Sequence, residues 1–272
     1  MNFKGRVKWF LQGSAHYITM WIGYRYAKSL PMYFVVGFPR SGTSWLSEML
    51  ADYYNLPRPR HYYLPIAFAA VIHTHFKPNA KFKNTYYVYR DGRDSYTSSY
   101  YKTLKLIETD PLYVKKDFYI KLFNGKVKDL SIDDHRHNMY AFLLDQFNSG
   151  HIWSTHIDNW KKAAKSNQDI SFLSFENLLA DPESELADAI RKLDNSADDE
   201  IIKQVIFRNS FSQQIRRPKA QHRTVLRKGK KNSWQEIFNQ ETRILFDKYC
   251  GDMLLELGYE NNRDWINKDH NS

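Results

Sequence analysis

The chain has 272 residues, of which 42% are hydrophobic, so it can bury a substantial core and global disorder is not expected. Its net charge of +10 favours anionic partners such as a nucleotide, a polyanion or a membrane surface. Cys250 is the only cysteine, which excludes an intramolecular disulfide and a cysteine-based zinc site, and we interpret it as a buried small hydrophobe. No zinc-finger, RRM or helix-turn-helix signature is present, so a nucleic-acid partner is not expected.

Residues 1–30 are predicted to form an amphipathic helical segment, with the helix itself at about residues 3–28. Basic residues precede an aromatic-rich stretch that runs from Trp9 to Tyr24. Polar residues interrupt this stretch, so it is too polar for a membrane span of about 20 apolar residues. These residues are Gln12, Ser14 and His16. Packing on the domain is the favoured interpretation, and lying on a membrane surface is the alternative.

A polar turn between a predicted strand (32–38) and a predicted helix (43–53) is the most informative feature of the sequence. It reads Gly37-Phe38-Pro39-Arg40-Ser41-Gly42-Thr43-Ser44-Trp45. A helix N-terminus with neighbouring hydroxyl groups and an arginine is typical of a phosphate-binding site. Thr43 stands where a Walker A motif requires lysine, which argues against ordinary ATP chemistry. The alternative is a structural turn with a helix cap.

Further strands alternate with helical segments along the rest of the chain. Strands are predicted at 69–74, 85–89 and 170–175; helices are predicted from about Asp94, at 152–163 and at 181–193, with a helical, basic tail. This alternation predicts an α/β fold: a single domain over residues 1–272 with a central parallel sheet flanked by helices and a P-loop-like nucleotide-binding core. Arg40, His75 and Arg90 each follow a predicted strand, so they can converge at the carboxyl edge of the sheet.

Two further segments carry candidate anion-binding groups. After the strand that ends at Arg90, the turn Asp91-Gly92 leads into a helix that Asp94 can cap and that carries Ser98, so Arg90 and Ser98 could hold a second phosphate. A structural Arg–Asp pair is the alternative. The basic run at residues 227–231 includes Arg227, Lys228 and Gly229, and reads either as a flexible anion clamp or as a solvated face.

Taken together, these segments resemble the sulfotransferases that use 3′-phosphoadenosine-5′-phosphosulfate (PAPS). PRSGTSW (39–45) resembles their 5′-phosphosulfate loop, and YVYRDGRDSYTSSYY (87–101) is similar to their 3′-phosphate segment. RKGKKNSW (227–234) looks like their RKGxxGDW clamp, and Phe175-Glu176-Asn177-Leu178 resembles their Y-E-D-L element. The resemblance runs from about residue 32 to 236 and is closest to the cytosolic-type enzymes. It implies a PAPS co-substrate, no metal, and a cytoplasmic enzyme, with peripheral membrane contact through the N-terminal segment as an added possibility.

The resemblance also implies a role for each matching residue. Catalytic roles fall to His75, Arg40 and Ser98, with Arg40 stabilising the leaving 5′-phosphate. The polar turn after the first strand, which we call the first turn, would cradle that phosphate, with Trp45 near the adenine. Its residues are Arg40, Ser41, Gly42, Thr43, Ser44 and Trp45. The 3′-phosphate and adenine would be held by Arg90, Ser98, Phe175, Phe211, Arg227, Lys228 and Gly229.

His75 is the implied general base, because His73-Thr74-His75 stands where the cytosolic enzymes carry K-T-H. An ordinary histidine titrates near neutral pH, which suits proton abstraction. His73 replaces the family lysine and removes a fixed cation. Asn232 and Ser233 replace the G-D of the clamp, and the dimerisation segment of the family is not recognisable.

The sequence therefore predicts transfer of a sulfonate group to a hydroxyl, with an amine less favoured, of a small-molecule, lipid or carbohydrate acceptor. Aromatic residues before His75 could line the acceptor pocket: Tyr53, Tyr54, Tyr62, Tyr63 and Phe68. Two alternatives stay open: a nucleotide or small-molecule kinase with a degenerate phosphate loop, and a basic protein that binds a membrane surface or a polyanion.

Overall fold

The computed structural model describes residues 3–59, 66–78, 82–110, 112–210, 212–213 and 232–267, and of residues 3–12 only the helical backbone. The strands are β1 Met32–Val36, β2 Ala70–Thr74, β3 Thr85–Tyr89 and β4 Ile170–Ser174. The helices are α1 Phe3–Tyr26, α2 Thr43–Tyr53, α3 Gly92–Thr109, α4 Lys116–Leu122, α5 Ile132–Asn148, α6 Trp153–Ser166, α7 Phe175–Ala180, α8 Pro182–Asp194, α9 Asp199–Arg208 and α10 Gln240–Glu256. Short 3₁₀ turns lie at Ser233–Glu236 and Arg263–Ile266. The chain divides into two compact units, Met1–Tyr89 with Asn159–Gly229 and Arg90–Asp158 with Lys230–Ser272.

The first unit is built on a parallel sheet with the strand order β2-β1-β3-β4. Phe34 pairs with Ile72 of β2, and Val36 pairs with Tyr87 of β3, so β1 lies at the centre. The chain leaves β1 towards β2 and later returns to the other side of β1 with β3. This reversal is the topological switch point at which open α/β sheets bind ligands. The predicted fold class, a parallel sheet flanked by helices, is confirmed.

The core of the first unit lies between this sheet and helices α2, α8 and α9. The strands contribute fully buried β-branched and aromatic residues because both faces of a parallel sheet are covered. From α2, Leu46 and Met49 lie three positions apart and are 0% exposed. Leu186 and Ile190 of α8 lie four positions apart on one face and are equally buried. These helical spacings explain why the segments after β1 and β4 fold as helices.

The second unit has a largely helical core. A capping box begins α5, in which Ser131 and Asp134 satisfy each other's backbone N–H groups. Cys250 of α10 is 1% exposed, and burial raises the pKa of its thiol to about 12. The interpretation of Cys250 as a buried small hydrophobe is therefore confirmed. Arg93 is also buried, with its guanidinium carbon 4.0 Å from the ring centroid of Trp234 and 4.8 Å from that of Trp265.

Several predicted boundaries need correction. Helix α3 begins at Gly92 rather than near Asp94, because the Asp91 side chain accepts a hydrogen bond from the N–H of Arg93 and caps the helix. The Asp94 carboxylate instead accepts hydrogen bonds from residues 232–234, where the 3₁₀ turn Ser233–Glu236 begins. The separate short helix α7 was not predicted, and α9 was predicted only as part of a helical tail without bounds. Within the described residues, no helix combines the length and the apolar character needed to cross a bilayer.

Candidate active site

The polar turn after β1 leads directly into α2, as the sequence predicts. Gly42 has φ of 92° and precedes the first helical residue, and the N–H groups of Trp45 and Leu46 bond to its carbonyl oxygen. The helix has 11 residues, so its dipole adds positive potential at the turn. Arg40 also takes a left-handed conformation, with φ of 73°. Two left-handed positions separated only by Ser41 fold the backbone tightly around the helix N-terminus.

Ser41 places an unsatisfied hydroxyl inside this turn. Its side chain is 0% exposed, and its Oγ atom makes no hydrogen bond to any residue that the structure describes. A buried polar atom without a partner costs about 1–3 kcal/mol, so it marks a position where a ligand group fits. The turn therefore has the chemistry that a phosphate requires: a helix N-terminus, a hydroxyl donor and an arginine.

Two glycines leave no room for a side chain around the turn. A Cβ atom on Gly37 would lie 2.3 Å from the carbonyl oxygen of Val88, so glycine lets β1 approach β3 closely. A Cβ atom on Gly42 would lie 2.4 Å from a ring carbon of Phe175. Phe175, the first residue of α7, therefore packs directly onto the turn.

Two histidines at the end of β2 reach the same turn. His73 and His75 lie two positions apart, so their side chains share one face, and their ring centroids are 4.8 Å apart. His75 Nδ1 lies 2.7 Å from the carbonyl oxygen of Gly37. His73 Nε2 lies 2.8 Å from Oγ1 of Thr43. The histidine that stands at the position of the family lysine thus contacts a hydroxyl of the polar turn.

Trp45 is largely buried, and a hydrogen bond from its indole nitrogen holds the ring in place. Its N–H donates to the carbonyl oxygen of Asn209 at 3.1 Å, and its ring meets Phe175 edge to face with centroids 6.1 Å apart. Asn209 precedes the predicted adenine contact Phe211, which lies outside the described residues. The structure therefore brings together the first-turn residues, His75 and Phe175, all within the first unit.

Arg90 and Ser98 belong to the second unit. Arg90 forms an ion pair with Asp94 at 3.5 Å, and its carbonyl oxygen accepts a hydrogen bond from the indole of Trp153 at 3.0 Å. Ser98 lies on α3 and is partly exposed. Arg227, Lys228 and Gly229 lie outside the described residues.

The segment that follows the basic run is tied to α3 through Asp94. The Asp94 carboxylate accepts hydrogen bonds from Asn232 N–H at 3.0 Å, Ser233 Oγ at 2.8 Å and Trp234 N–H at 3.2 Å. Burial raises the pKa of Asp94, and the nearby Arg90 and the hydrogen bonds from Ser233 and Trp234 oppose that rise. Asn232 has φ of 63°, a conformation that asparagine tolerates better than most residues. Asn232 can therefore stand where the family has glycine.

Two of the proposed acceptor-pocket residues serve a structural role. Tyr54 stacks on Tyr33 with ring centroids 3.9 Å apart, and its hydroxyl bonds to Tyr86 and Asp194. Burial is the largest cause that raises the pKa of Tyr54. The hydroxyl of Tyr53 accepts a hydrogen bond from the N–H of Asp198 at 3.1 Å. Tyr62 and Tyr63 lie outside the described residues, and Phe68 is 62% exposed.

The sequence is similar to several known proteins. The sequence matches the family described as "Sulfotransferase domain" over residues 65–258. It is 21% identical over 252 residues to sulfotransferase 1 family member D1 of Rattus norvegicus, covering 81% of each chain. It is 20% identical to the Mus musculus protein of that name over 279 residues, again covering 81% of each.

Solved structures show the same fold. The chain superposes on the mouse sulfotransferase SULT7A1 complexed with PAP with a TM-score of 0.59 and 18% identity, covering 84% of this chain and 88% of that one. It superposes on retinol dehydratase in complex with androsterone and inactive cofactor PAP with a TM-score of 0.54 and 18% identity, covering 82% and 80%. Among the described residues, no group of three or more histidine, cysteine, aspartate or glutamate side chains could hold a metal ion.

Proposed function

Because this chain belongs to the sulfotransferase family, we propose that it transfers the sulfonate group of PAPS to a hydroxyl group of a small-molecule, lipid or carbohydrate acceptor. The observation that carries the proposal is the contact between His75 Nδ1 and the carbonyl oxygen of Gly37 at 2.7 Å. It joins the candidate base to the turn that we assign to phosphate binding. Two relatives of the same fold were solved with PAP, which supports this choice of nucleotide.

The first turn fits the 5′-phosphosulfate end of the co-substrate. Ser41, Gly42, Thr43 and Ser44 would hold its phosphate, and the unsatisfied Oγ of Ser41 would gain a partner. Arg40 would place a fixed positive charge beside the phosphate that departs. When bound, PAPS supplies the sulfonate group and a phosphate leaving group. The 3′-phosphate roles of Arg90 and Ser98 stay predictions from the sequence resemblance.

His75 would act as the general base through its Nε2 atom. A carbonyl oxygen can only accept a hydrogen bond, so Nδ1 must carry the proton in the contact with Gly37. In the neutral ring, Nε2 is then the basic nitrogen, which can take a proton from the acceptor hydroxyl. Gly37 is thus a positioning residue that selects the tautomer through its backbone.

His73 would act on the turn and not on the acceptor. Its contact with Thr43 Oγ1 at 2.8 Å orients a hydroxyl that we assign to phosphate binding. The family lysine is absent here, so Arg40 would supply the fixed positive charge at this end of the nucleotide. This division of roles leaves proton abstraction to His75.

Replacing His75 by alanine tests the proposal. We expect His75→Ala to lower kcat at least about a hundredfold, because a positioned base contributes about that much, and to retain binding of the product nucleotide PAP. The measurement is transfer of radiolabelled sulfonate from PAPS to a panel of phenols, sterols and sugars, with PAP binding followed by calorimetry.

His151, an exposed histidine, provides the matched control. His151→Ala should leave both transfer and PAP binding at the level of the unmodified enzyme. A His75→Ala enzyme that turns over normally would remove His75 from the role of base.

A further inference from the structure

Helix α1 presents a stripe of aromatic and basic side chains to solvent. We call this stripe the N-terminal face and define it by Tyr17, Ile18, Trp21, Arg25 and Lys28. Tyr17 is 68% exposed, Trp21 57% and Ile18 43%, and Arg25 and Lys28 are exposed as well. Their spacing follows successive turns of one helix face, which continues into the turn after α1. The face is therefore a continuous surface and not a scatter of single residues.

The opposite side of α1 is packed against the sheet, so the exposed rings cannot turn inward. Ala15, Met20 and Ile22 are buried at 4% exposure or less. Tyr24 stacks on Phe34 of β1 with ring centroids 5.5 Å apart. Packing one side of α1 against the sheet is enough to hold the helix on the first unit. The fold therefore gives no reason for aromatic residues on the exposed side.

The charged residues of the N-terminal face itself, Arg25 and Lys28, are both basic. Glu48 is the first acidic residue in the chain, so α1 contains basic residues and no acidic ones. Asp169 lies 3.6 Å from Lys28 and 3.2 Å from Lys83, so a single carboxylate faces two ammonium groups. The surface around α1 therefore keeps a positive charge.

Phe68 adds a further exposed ring next to α1. The N–H of Ala67 donates to Thr19 Oγ1 at 3.1 Å, which holds this segment beside the helix, and the Phe68 side chain is 62% exposed. Tyr26, at 43% exposure, meets Trp21 edge to face with ring centroids 6.1 Å apart. Rings of this kind favour the boundary between headgroups and acyl chains in a bilayer.

We propose that the N-terminal face docks on an anionic lipid surface. Trp21 and Tyr17 would insert their rings at headgroup depth, while Arg25 and Lys28 would bind lipid phosphates. A second copy of the chain is a poor occupant, because two such faces would bring like charges together.

Vesicle flotation of the full chain tests this docking. The unmodified protein should float with vesicles of phosphatidylcholine mixed with phosphatidylglycerol, bind pure phosphatidylcholine more weakly, and lose binding as salt is raised. The double variant Tyr17→Ser with Trp21→Ser should bind the anionic vesicles roughly tenfold more weakly or worse. Arg25→Glu, which keeps the rings, should also weaken binding.

Phe207→Ser is the matched control, because Phe207 is 65% exposed on α9, outside the N-terminal face. It should float as the unmodified protein does. Failure of the unmodified protein to float with anionic vesicles would overturn the proposal, as would undiminished binding by the double variant. A dimer in solution that the double variant abolishes would assign the face to a second copy and would also overturn it.

Discussion

Gly42 combines two constraints at the start of α2, one from backbone conformation and one from packing. Its φ of 92° is costly for any residue with a side chain, and a Cβ atom would meet Phe175 at 2.4 Å. The strained turn and the aromatic ring are both parts of the candidate phosphate site. A change at Gly42 should therefore affect stability and nucleotide binding together.

We predict that Gly42→Ala lowers the free energy of unfolding by about 2–5 kcal/mol, the sum of left-handed strain and overpacking. Gly125→Ala separates the two causes, because Gly125 has φ of 76° but no heavy atom within 4 Å of its virtual Cβ. The control should cost only about 1–2 kcal/mol. Urea denaturation measures both values, and equal losses in the two variants would show that Phe175 does not constrain the turn.

The residues of the candidate site could largely be predicted from the sequence, but their contacts could not. The turn is predicted from residue types and order, and His75 from the resemblance of His73-Thr74-His75 to the K-T-H element of the family. The bond between His75 and Gly37 joins positions far apart in the sequence, and it depends on the parallel pairing of β1 and β2. The contact between His73 and Thr43 has the same origin. Two of the departures from the family gain a physical explanation only from the structure: His73 from its contact with Thr43, and Asn232 from its left-handed backbone.

At the scale of the element, the start of α3 depends on a buried arginine. Arg93 is 2% exposed, and its guanidinium donates to both carboxylate oxygens of Asp91, at 3.1 Å and 2.7 Å, and to Glu260. Asp91 is also the helix cap. The Arg93 side chain therefore pairs with the residue that caps α3 and also stacks on Trp234. Lysine cannot reproduce its planar fork of donors.

We predict that Arg93→Lys lowers the free energy of unfolding by about 2 kcal/mol or more, because the paired carboxylates stay buried while the fork is lost. Arg191→Lys is the control. Arg191 is an exposed arginine that pairs with Asp188 at 3.3 Å and Asp199 at 2.6 Å, and its replacement should cost less than about 0.5 kcal/mol. A shift of the urea midpoint that is no larger for Arg93→Lys than for Arg191→Lys would refute this account.

Elements with a strong local pattern were predicted well. Helix α2 and strand β3 have the predicted bounds, because apolar spacing and turn residues mark both ends. The start of α3 was wrong because Asp91 and Asp94 are both possible caps, and only the tertiary contacts of Asp94 with residues 232–234 decide between them. Helix α9 was predicted only as part of a helical tail without bounds, because its two buried positions, Ile202 and Val205, give a weak pattern.

For the whole molecule, the family and the α/β fold follow from the order of a few segments along the chain. Alternating strands and helices predicted the parallel sheet, and the sheet order places the first turn at the topological switch point. The division of the chain into two compact units was not predicted, because Arg90 and Asn159 lie at unit boundaries that no linker composition marks. The acceptor also has no signature in residue order.

The central claim is that the first turn binds a nucleotide with a 5′-phosphosulfate group and not ATP. Calorimetric titration of the full chain with PAP tests it most directly, with ATP and Mg²⁺ titrated in parallel. We expect saturable binding of PAP, weaker or absent binding of ATP, and loss of PAP affinity in Ser41→Ala, whose buried hydroxyl we assign to the phosphate. Saturable binding of ATP with Mg²⁺, together with no binding of PAP, would contradict it.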